Sequence, residues 1–202
     1  MPSTPASGEP SVLSVLVIDE SESRAGEICA GLALAGHQVA ALLPSALDLS
    51  GRVEALHPDV ILISTDSPTR DTLEHLAAVN AAMPRPVIMF SRKADTAMIR
   101  KAMKAGVSAY IVDGLAAKRI QSVIQVAIAR FEEYQALRKE RDDATRKLSD
   151  RILVDKAKGV LMKARGMDED EAYKALRKLA MDRGQPLVEV ARNVMEMADL
   201  LL

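Results

Sequence analysis

A short basic segment in the C-terminal quarter of the chain combines two lysines with two small residues. Lys156, Ala157, Lys158 and Gly159 follow one another within an apolar helical pattern that extends over 152–180. Lysine supplies a compact positive charge, and glycine permits close approach of another backbone. The segment therefore predicts an exposed surface at which another chain comes close and meets positive charge.

Three interpretations of this C-terminal region remain open from the pattern alone. The first is a helical oligomerisation module, in which Ala157 and Gly159 pack closely and the lysines are solvated. The second is a DNA-binding helix-turn-helix, although the last predicted helix carries three acidic residues against one arginine and suits phosphate-rich grooves poorly. The third is binding of an RNA hairpin by a basic helix surface, with these cations: Lys156, Lys158, Lys163, Arg165 and Arg177.

A second set of polar side chains follows the predicted strands of the N-terminal half. Asp19 and Glu20 end the first strand, Ser64 follows the third, Ser91 ends the fourth and Asp113 follows the fifth. In order and position these strands and loops resemble a response-regulator receiver domain. In an active receiver, the resemblance implies an acidic pair that holds Mg²⁺, a phospho-acceptor Asp, a hydroxyl and a Lys.

Two of those groups are missing from this sequence. The acceptor position holds Ser64, and the lysine position holds Asp113, which would repel a phosphoryl group. Asp66 lies two residues past Ser64 and has a different reach. The sequence therefore predicts a degenerate receiver site that retains the fold and has lost the phosphoryl chemistry.

The elements around these residues fall into two classes. Over 11–118, five short β-branched runs alternate with helical segments near 23–35, 46–56, 69–82 and 94–105. Nearly continuous apolar strands are typical of a parallel sheet covered on both faces. This part is predicted to be an α/β doubly wound, flavodoxin-like pseudo-receiver domain, preceded by a disordered tail over 1–10.

From residue 116 onward the strand signals end and one helical pattern continues to about 164. Apolar or small residues recur at spacings of three and four, which predicts a coiled-coil helix over 119–150. The seam consists of Ile120, Ile124, Ala127, Phe131, Tyr134, Leu137, Ala144, Leu148 and Ile152. Such a helix needs a partner, most simply the same helix of a second subunit. Residues 151–202 are predicted to form a three-helix bundle with stops at Gly166 and Gly184.

Composition limits the possible functions. The net charge of -1 gives no global attraction to nucleic acid or membrane, so any such contact must be local. One cysteine excludes a disulfide framework, and no apolar run is long enough to span a bilayer. The three histidines show no ligand or nucleophile spacing. We therefore expect a cytoplasmic protein that is not an enzyme and needs no metal or cofactor.

Several elements of the C-terminal region occur in a fixed order that resembles the ANTAR domain of transcription antiterminators. They are 157–162, Gly166, Glu171-Ala172, Leu176-Arg177, Ala180 and 187–191. With the pseudo-receiver and the coiled coil before them, the whole architecture resembles the AmiR/NasT family of amide- and nitrate-responsive antiterminators, and its nitrate-responsive members most.

This resemblance implies an RNA-binding antiterminator that binds paired stem-loops in leader mRNA and prevents terminator formation. It implies a homodimer, and control by a nitrate/nitrite-sensing protein that resembles a periplasmic binding protein. Ala157 and Gly159 would permit close approach, while Met162 contacts a loop base or belongs to the core. An alternative is a protein-interaction or oligomerisation adaptor without RNA binding, and titration of a hairpin RNA discriminates the two.

Overall fold

The computed structural model describes residues 12–93, 95–112 and 119–201. The predicted tail over 1–10, and Asp113 of the degenerate receiver site, lie outside these ranges. The chain divides into two compact units, Met1–Tyr134 and Gln135–Leu202, called here the first and second unit.

The first unit alternates strands and helices, as predicted. Its strands are β1 (Ser14–Asp19), β2 (Gln38–Leu43), β3 (Val60–Thr65), β4 (Val87–Ser91) and β5 (Ala109–Val112). Between them lie α1 (Glu22–Leu34), α2 (Leu49–Leu56), α3 (Arg70–Ala82) and α4 (Thr96–Lys104). The remaining helices are α5 (Ile120–Arg165), α6 (Glu169–Arg183) and α7 (Leu187–Leu201).

The five strands form one parallel sheet with the order β2-β1-β3-β4-β5. Side chains alternate between its faces. Leu16, Ile61 and Met89 belong to one buried cluster, whereas Val15, Leu62 and Ile88 belong to another on the opposite face. Each such side chain contributes roughly 1.5–3 kcal/mol through burial. The predicted doubly wound α/β fold is confirmed.

Helix α5 is continuous through its highly charged middle, a point that the sequence left open. Its first turns carry Ile120, Ile124 and Ala127, all buried in the second of these clusters. These three residues therefore cover the sheet of the first unit and do not belong to a coiled-coil seam, because the β1–β3–β4 face needs a helix to exclude water. The prediction was wrong for them. Further along, Tyr134, Leu137, Leu148 and Ile152 are exposed.

The second unit is a small helical bundle. Its core contains Ala157, Leu176, Ala180, Val190 and Ala191. Helix α6 begins with a capping box, in which Asp168 accepts from the Glu171 N–H and Glu171 accepts from the Asp168 N–H. It ends at Gly184, whose φ of 61° is left-handed and favours glycine. None of the helices in the described ranges combines the length and apolar character that a membrane crossing requires.

Candidate nucleic-acid interface

The last ten residues of α5, 156–165, carry four cations and no carboxylate. Successive helical residues are rotated by about 100°, so neighbours in sequence face different surroundings. Ala157 is 0% exposed and packs in the core of the bundle. The prediction that Ala157 lies on an exposed surface was wrong, because this residue holds α5 against α6 and α7.

A stripe of three residues lies on the side of α5 away from that core. Lys156, Gly159 and Lys163 are spaced by three and four residues, which places them on one face of the helix. Both lysines are exposed, and neither forms an ion pair with another residue that the structure describes. A Cβ added at Gly159 would meet no side chain within 4 Å. We call Lys156, Gly159 and Lys163 the open face.

Lys158 does not belong to the open face. Its side chain is only 14% exposed, and its Nζ lies 2.7 Å from Asp155 Oδ1 and 2.7 Å from Glu169 Oε1. The hydrogen bonds to Asp155 and then Glu169 raise the pKa of Lys158 above its ordinary value. Lys158 in turn lowers the pKa of the Asp155 carboxyl. Lys158 thus connects α5 to the first turn of α6, and the prediction that it shares a surface with Lys156 was wrong.

The two arginines of the predicted site are exposed. Arg165 borders a groove of about 560 Å³ that is lined by apolar side chains. Lys178 and Arg183 add positive charge to this groove, and Asp182 adds one carboxylate. Arg177 follows the buried Leu176 on α6 and forms no ion pair within the described ranges. Met162 is at the surface of α5 with a partly exposed side chain. These residues leave cations available to solvent near the end of the bundle.

In the first unit, the strand register brings the residues of the degenerate receiver site to one edge of the sheet. Asp19 is paired with Ser64, and Thr65 with Ser91. Asp19, Ser64 and Ser91 are buried, whereas Glu20 is exposed. The carboxyl ends of parallel strands meet at this edge, which is why sequence reasoning could assemble these residues.

Arg24 of α1 occupies the degenerate receiver site, which we therefore call the closed site. Its Nη2 lies 3.0 Å from Asp19 Oδ1 and its Nε 3.2 Å from Asp19 Oδ2, while its Nη1 donates to Asp66 Oδ1 at 2.6 Å. The hydrogen bonds to Asp19 raise the pKa of Arg24 above its ordinary value. Sequence reasoning missed Arg24. An arginine in the first turns of the helix that follows an acidic strand end was the available signal.

The Ser91 hydroxyl of this site is also occupied by hydrogen bonds. Ser91 Oγ lies 3.1 Å from the Asp66 carbonyl oxygen and 2.7 Å from the Lys93 carbonyl oxygen. Because a guanidinium occupies both oxygens of Asp19, the arrangement does not fit the divalent cation of an active receiver. Across the described ranges, no group of three or more His, Cys, Asp and Glu side chains is placed to hold a metal ion.

Comparison with known proteins finds a matching family model and similar proteins. The ANTAR domain model matches residues 142–195. The transcriptional regulatory protein PdtaR of Mycobacterium tuberculosis is 30% identical over 139 residues, which cover 69% of this chain and 68% of that protein. The nitrate regulatory protein of Klebsiella oxytoca is 36% identical over 83 residues, which cover 41% of this chain and 21% of that protein.

A solved structure supports the fold of the first unit. The receiver domain of the response regulator NarL from Mycobacterium tuberculosis superposes with a TM-score of 0.53 at 22% identity, covering 58% of this chain and 98% of that one. At this identity the likeness concerns the fold alone. The ANTAR domain match and the similarity to PdtaR show that the chain belongs to the ANTAR-domain family of response-regulator-like proteins.

Proposed function

We propose that this chain is an RNA-binding transcription antiterminator that binds paired stem-loops in leader mRNA and prevents formation of the terminator. The observation that carries this proposal is the open face of α5. Two exposed lysines, seven residues apart, flank a half-buried glycine at which an added Cβ would meet no side chain within 4 Å. Lysines bind phosphate as point charges, and a missing side chain lets a nucleic-acid backbone approach the helix.

The pattern of charge favours RNA hairpins over duplex DNA. The helices of the bundle are short of cations at their N-terminal ends, since α6 begins with Glu169, Asp170 and Glu171. A recognition helix contacts DNA through such N-terminal residues. The free cations instead lie along the last turns of α5 and at the exposed positions of α6. Side-on contact of this kind suits the backbone of a stem and the splayed bases of its loop.

Dimerisation through α5 completes the proposal. Leu137, Leu148 and Ile152 are large, exposed apolar residues of the second unit on this helix. The spacings of eleven and four residues return to one side of the helix. Pairing of this stripe with a second copy would remove it from water. Two bundles in one dimer would then bind two neighbouring stem-loops with a high effective concentration.

Control by a protein partner is favoured over control by phosphorylation. The acceptor position holds a serine, and Arg24 already forms ion pairs with Asp19 and Asp66. We propose a sensor that resembles a periplasmic binding protein and responds to nitrate or nitrite. Two relatives are named as a nitrate regulatory protein and an aliphatic amidase regulator, which is consistent with control by a small metabolite.

The direct test titrates the full chain with an RNA that carries two adjacent hairpins. The controls are the same RNA with one hairpin and an RNA whose stems are mismatched. We expect the two-hairpin RNA to bind at least 10²-fold more tightly than the single hairpin, because the second contact is intramolecular. Absence of binding to any hairpin would favour the adaptor function instead.

A second experiment tests the regulatory part. Treatment with a small phosphodonor such as acetyl phosphate is expected to leave both the affinity for RNA and the oligomeric state unchanged, because a serine holds the acceptor position and Asp19 and Asp66 are paired with Arg24. A donor-dependent rise in affinity, lost in an Asp66→Asn variant, would show that Asp66 accepts phosphate and would refute control by a partner alone.

A further inference from the structure

Tyr173 of α6 is a large aromatic residue that the core does not fully bury. Its neighbours Ala172 and Leu176 are 0% and 1% exposed, whereas Tyr173 is 42% exposed. The ring lines an open groove of about 430 Å³ that is formed by α5, α6 and the start of α7. An exposed flat ring at a groove is a surface on which another planar group can stack.

The polar residues of this groove come from α5. Asp150 and Asp155 contribute carboxylates, while Arg151 and Lys158 contribute cations. These charges balance, so the groove does not attract a phosphate or an acidic peptide as the free lysines do. A neutral planar ligand with hydrogen-bond donors at its edge fits this combination, because a carboxylate accepts from amino groups.

The groove borders the open face. Asp155 and Gly159 are four residues apart on α5 and are therefore neighbours on the helix surface. A nucleic acid whose backbone lies along Lys156, Gly159 and Lys163 can direct an unpaired base past Asp155 towards Tyr173. The groove and the open face then form one continuous surface of the second unit.

We propose that Tyr173 stacks on an unpaired loop base of the bound RNA, and that Asp155 accepts a hydrogen bond from an amino group of that base through Oδ2, since its Oδ1 already accepts from Lys158 Nζ. This inference rests on the proposed RNA-binding function and assigns to Tyr173 the recognition of the loop. The lysines of the open face hold phosphates without regard to sequence, whereas the groove reads one base. Sequence-specific recognition of RNA generally uses splayed loop bases stacked on aromatic rings.

The chain contains no tryptophan, so Tyr173→Trp introduces a single fluorophore at the site. Titration of this variant with the hairpin RNA is expected to quench its fluorescence, with saturation at the RNA concentration that saturates anisotropy of labelled RNA. Leu34→Trp, on the exposed surface of α1, is the matched control and is expected to keep its fluorescence. Abasic substitution at one loop position, and not at the others, is expected to abolish the quenching.

Affinity measurements complete the test. Tyr173→Phe retains the ring and is expected to bind within about two-fold of wild type, whereas Tyr173→Leu is expected to lose about 5- to 100-fold, the usual effect of one stacked base. Melting followed by circular dichroism verifies that both variants are folded.

The outcomes separate the two proposals. If wild-type protein binds the hairpin but the Tyr173→Trp variant keeps its fluorescence, base stacking is refuted and RNA binding stands. The same conclusion follows if Tyr173→Phe and Tyr173→Leu weaken binding equally. If no hairpin binds the wild type, both proposals fall. A groove that serves a protein partner instead would give normal RNA affinity in Tyr173→Leu together with unquenched fluorescence in Tyr173→Trp, which also refutes stacking.

Discussion

The two units of this protein differ in whether the charged side chains of their candidate sites form internal ion pairs. At the strand ends of the first unit, the buried Asp19 is matched by Arg24, which also bridges to Asp66. On α5 of the second unit, Lys156 and Lys163 face solvent without an ion-pair partner among the described residues. Charges that are satisfied internally stabilise a fold, whereas charges left exposed in a cluster are available for a ligand.

The same difference recurs within one turn of α5. Lys158 is held by Asp155 and Glu169, while Lys156 is exposed two residues earlier. Residue type alone does not separate these lysines, since both stand in the same short motif. The helical rotation of about 200° between them sends one towards α6 and the other towards solvent.

The largest expected effect concerns the closed site. Arg24→Met removes the guanidinium and leaves the carboxylate of Asp19, whose side chain is 0% exposed, with the Ser21 N–H as its remaining hydrogen-bond donor. We expect the free energy of unfolding of the first unit to fall by about 2–3 kcal/mol, less than for a fully buried pair because Arg24 itself is partly exposed. Chemical denaturation measures this change.

Arg70→Met is the matched control for Arg24→Met. Arg70 also forms an ion pair, with Glu74 at 2.6 Å, but both side chains are exposed. Exposed pairs of this type contribute about 0.3–0.5 kcal/mol. Equal destabilisation by the two variants would mean that the Arg24 network does not stabilise the first unit. It would contradict the statement that the charges at the strand ends serve the stability of the fold.

A second prediction separates packing from contact at Gly159. Gly159→Ala is expected to stabilise the second unit by about 0.5–1 kcal/mol, because alanine is more favourable than glycine in the interior of a helix. The added Cβ meets no side chain. The same methyl group lies where RNA approaches the open face, so affinity for the hairpin is expected to fall several-fold. Thermal melting and RNA titration of the same preparation measure the two effects.

Gly26→Ala on α1 provides the control, because a Cβ at Gly26 also meets nothing within 4 Å beyond its own helix backbone and adjacent residues. It is expected to stabilise the first unit and to leave RNA affinity unchanged. If Gly159→Ala stabilises the bundle and binds RNA as wild type does, the glycine is not part of the contact surface.

The smallest expected effect concerns the pH dependence of the Lys158 pair. The pKa of Asp155 is lowered, so the pair stabilises the bundle above the ordinary pKa of that carboxyl and loses its effect as the pH falls through the lowered value. The pKa of Lys158 is raised, so stabilisation is lost at the alkaline end only as the pH rises through the raised value. The stability difference between wild type and Lys158→Met is therefore expected to be constant near neutrality and to shrink below about pH 4.

Lys174→Met serves as the comparison for Lys158→Met. Lys174 lies 3.9 Å from Asp170, and both side chains are highly exposed. Its effect on the stability of the second unit is expected to be smaller than that of Lys158→Met at every pH. The reverse order, measured by urea denaturation at neutral pH, would contradict the assignment of Lys158 as a structural connection between α5 and α6.

The elements of the fold follow from local pattern, whereas the site depends on tertiary placement. The five β-branched runs predicted the strands, and the glycines at 36, 106, 166 and 184 predicted the helix ends. Both signals are local, because the spacing of apolar residues and a positive φ depend only on residues near one another in sequence. Ala157 was misassigned because periodicity fixes relative faces of a helix and not which face meets α6 and α7. Arg24 was missed because its partners Asp19 and Asp66 come from two different strand ends.

The salt dependence of RNA binding by a Lys156→Ala/Lys163→Ala variant tests the central claim most directly. With two phosphate contacts removed per bound subunit, the slope of log K against log salt concentration is expected to flatten by about 1.4–1.8, and affinity to fall about 5- to 30-fold. Lys101→Ala/Lys104→Ala on the exposed side of α4 is the control and is expected to match wild type. An unchanged slope in the Lys156/Lys163 variant would contradict the assignment of the open face as the RNA-binding surface.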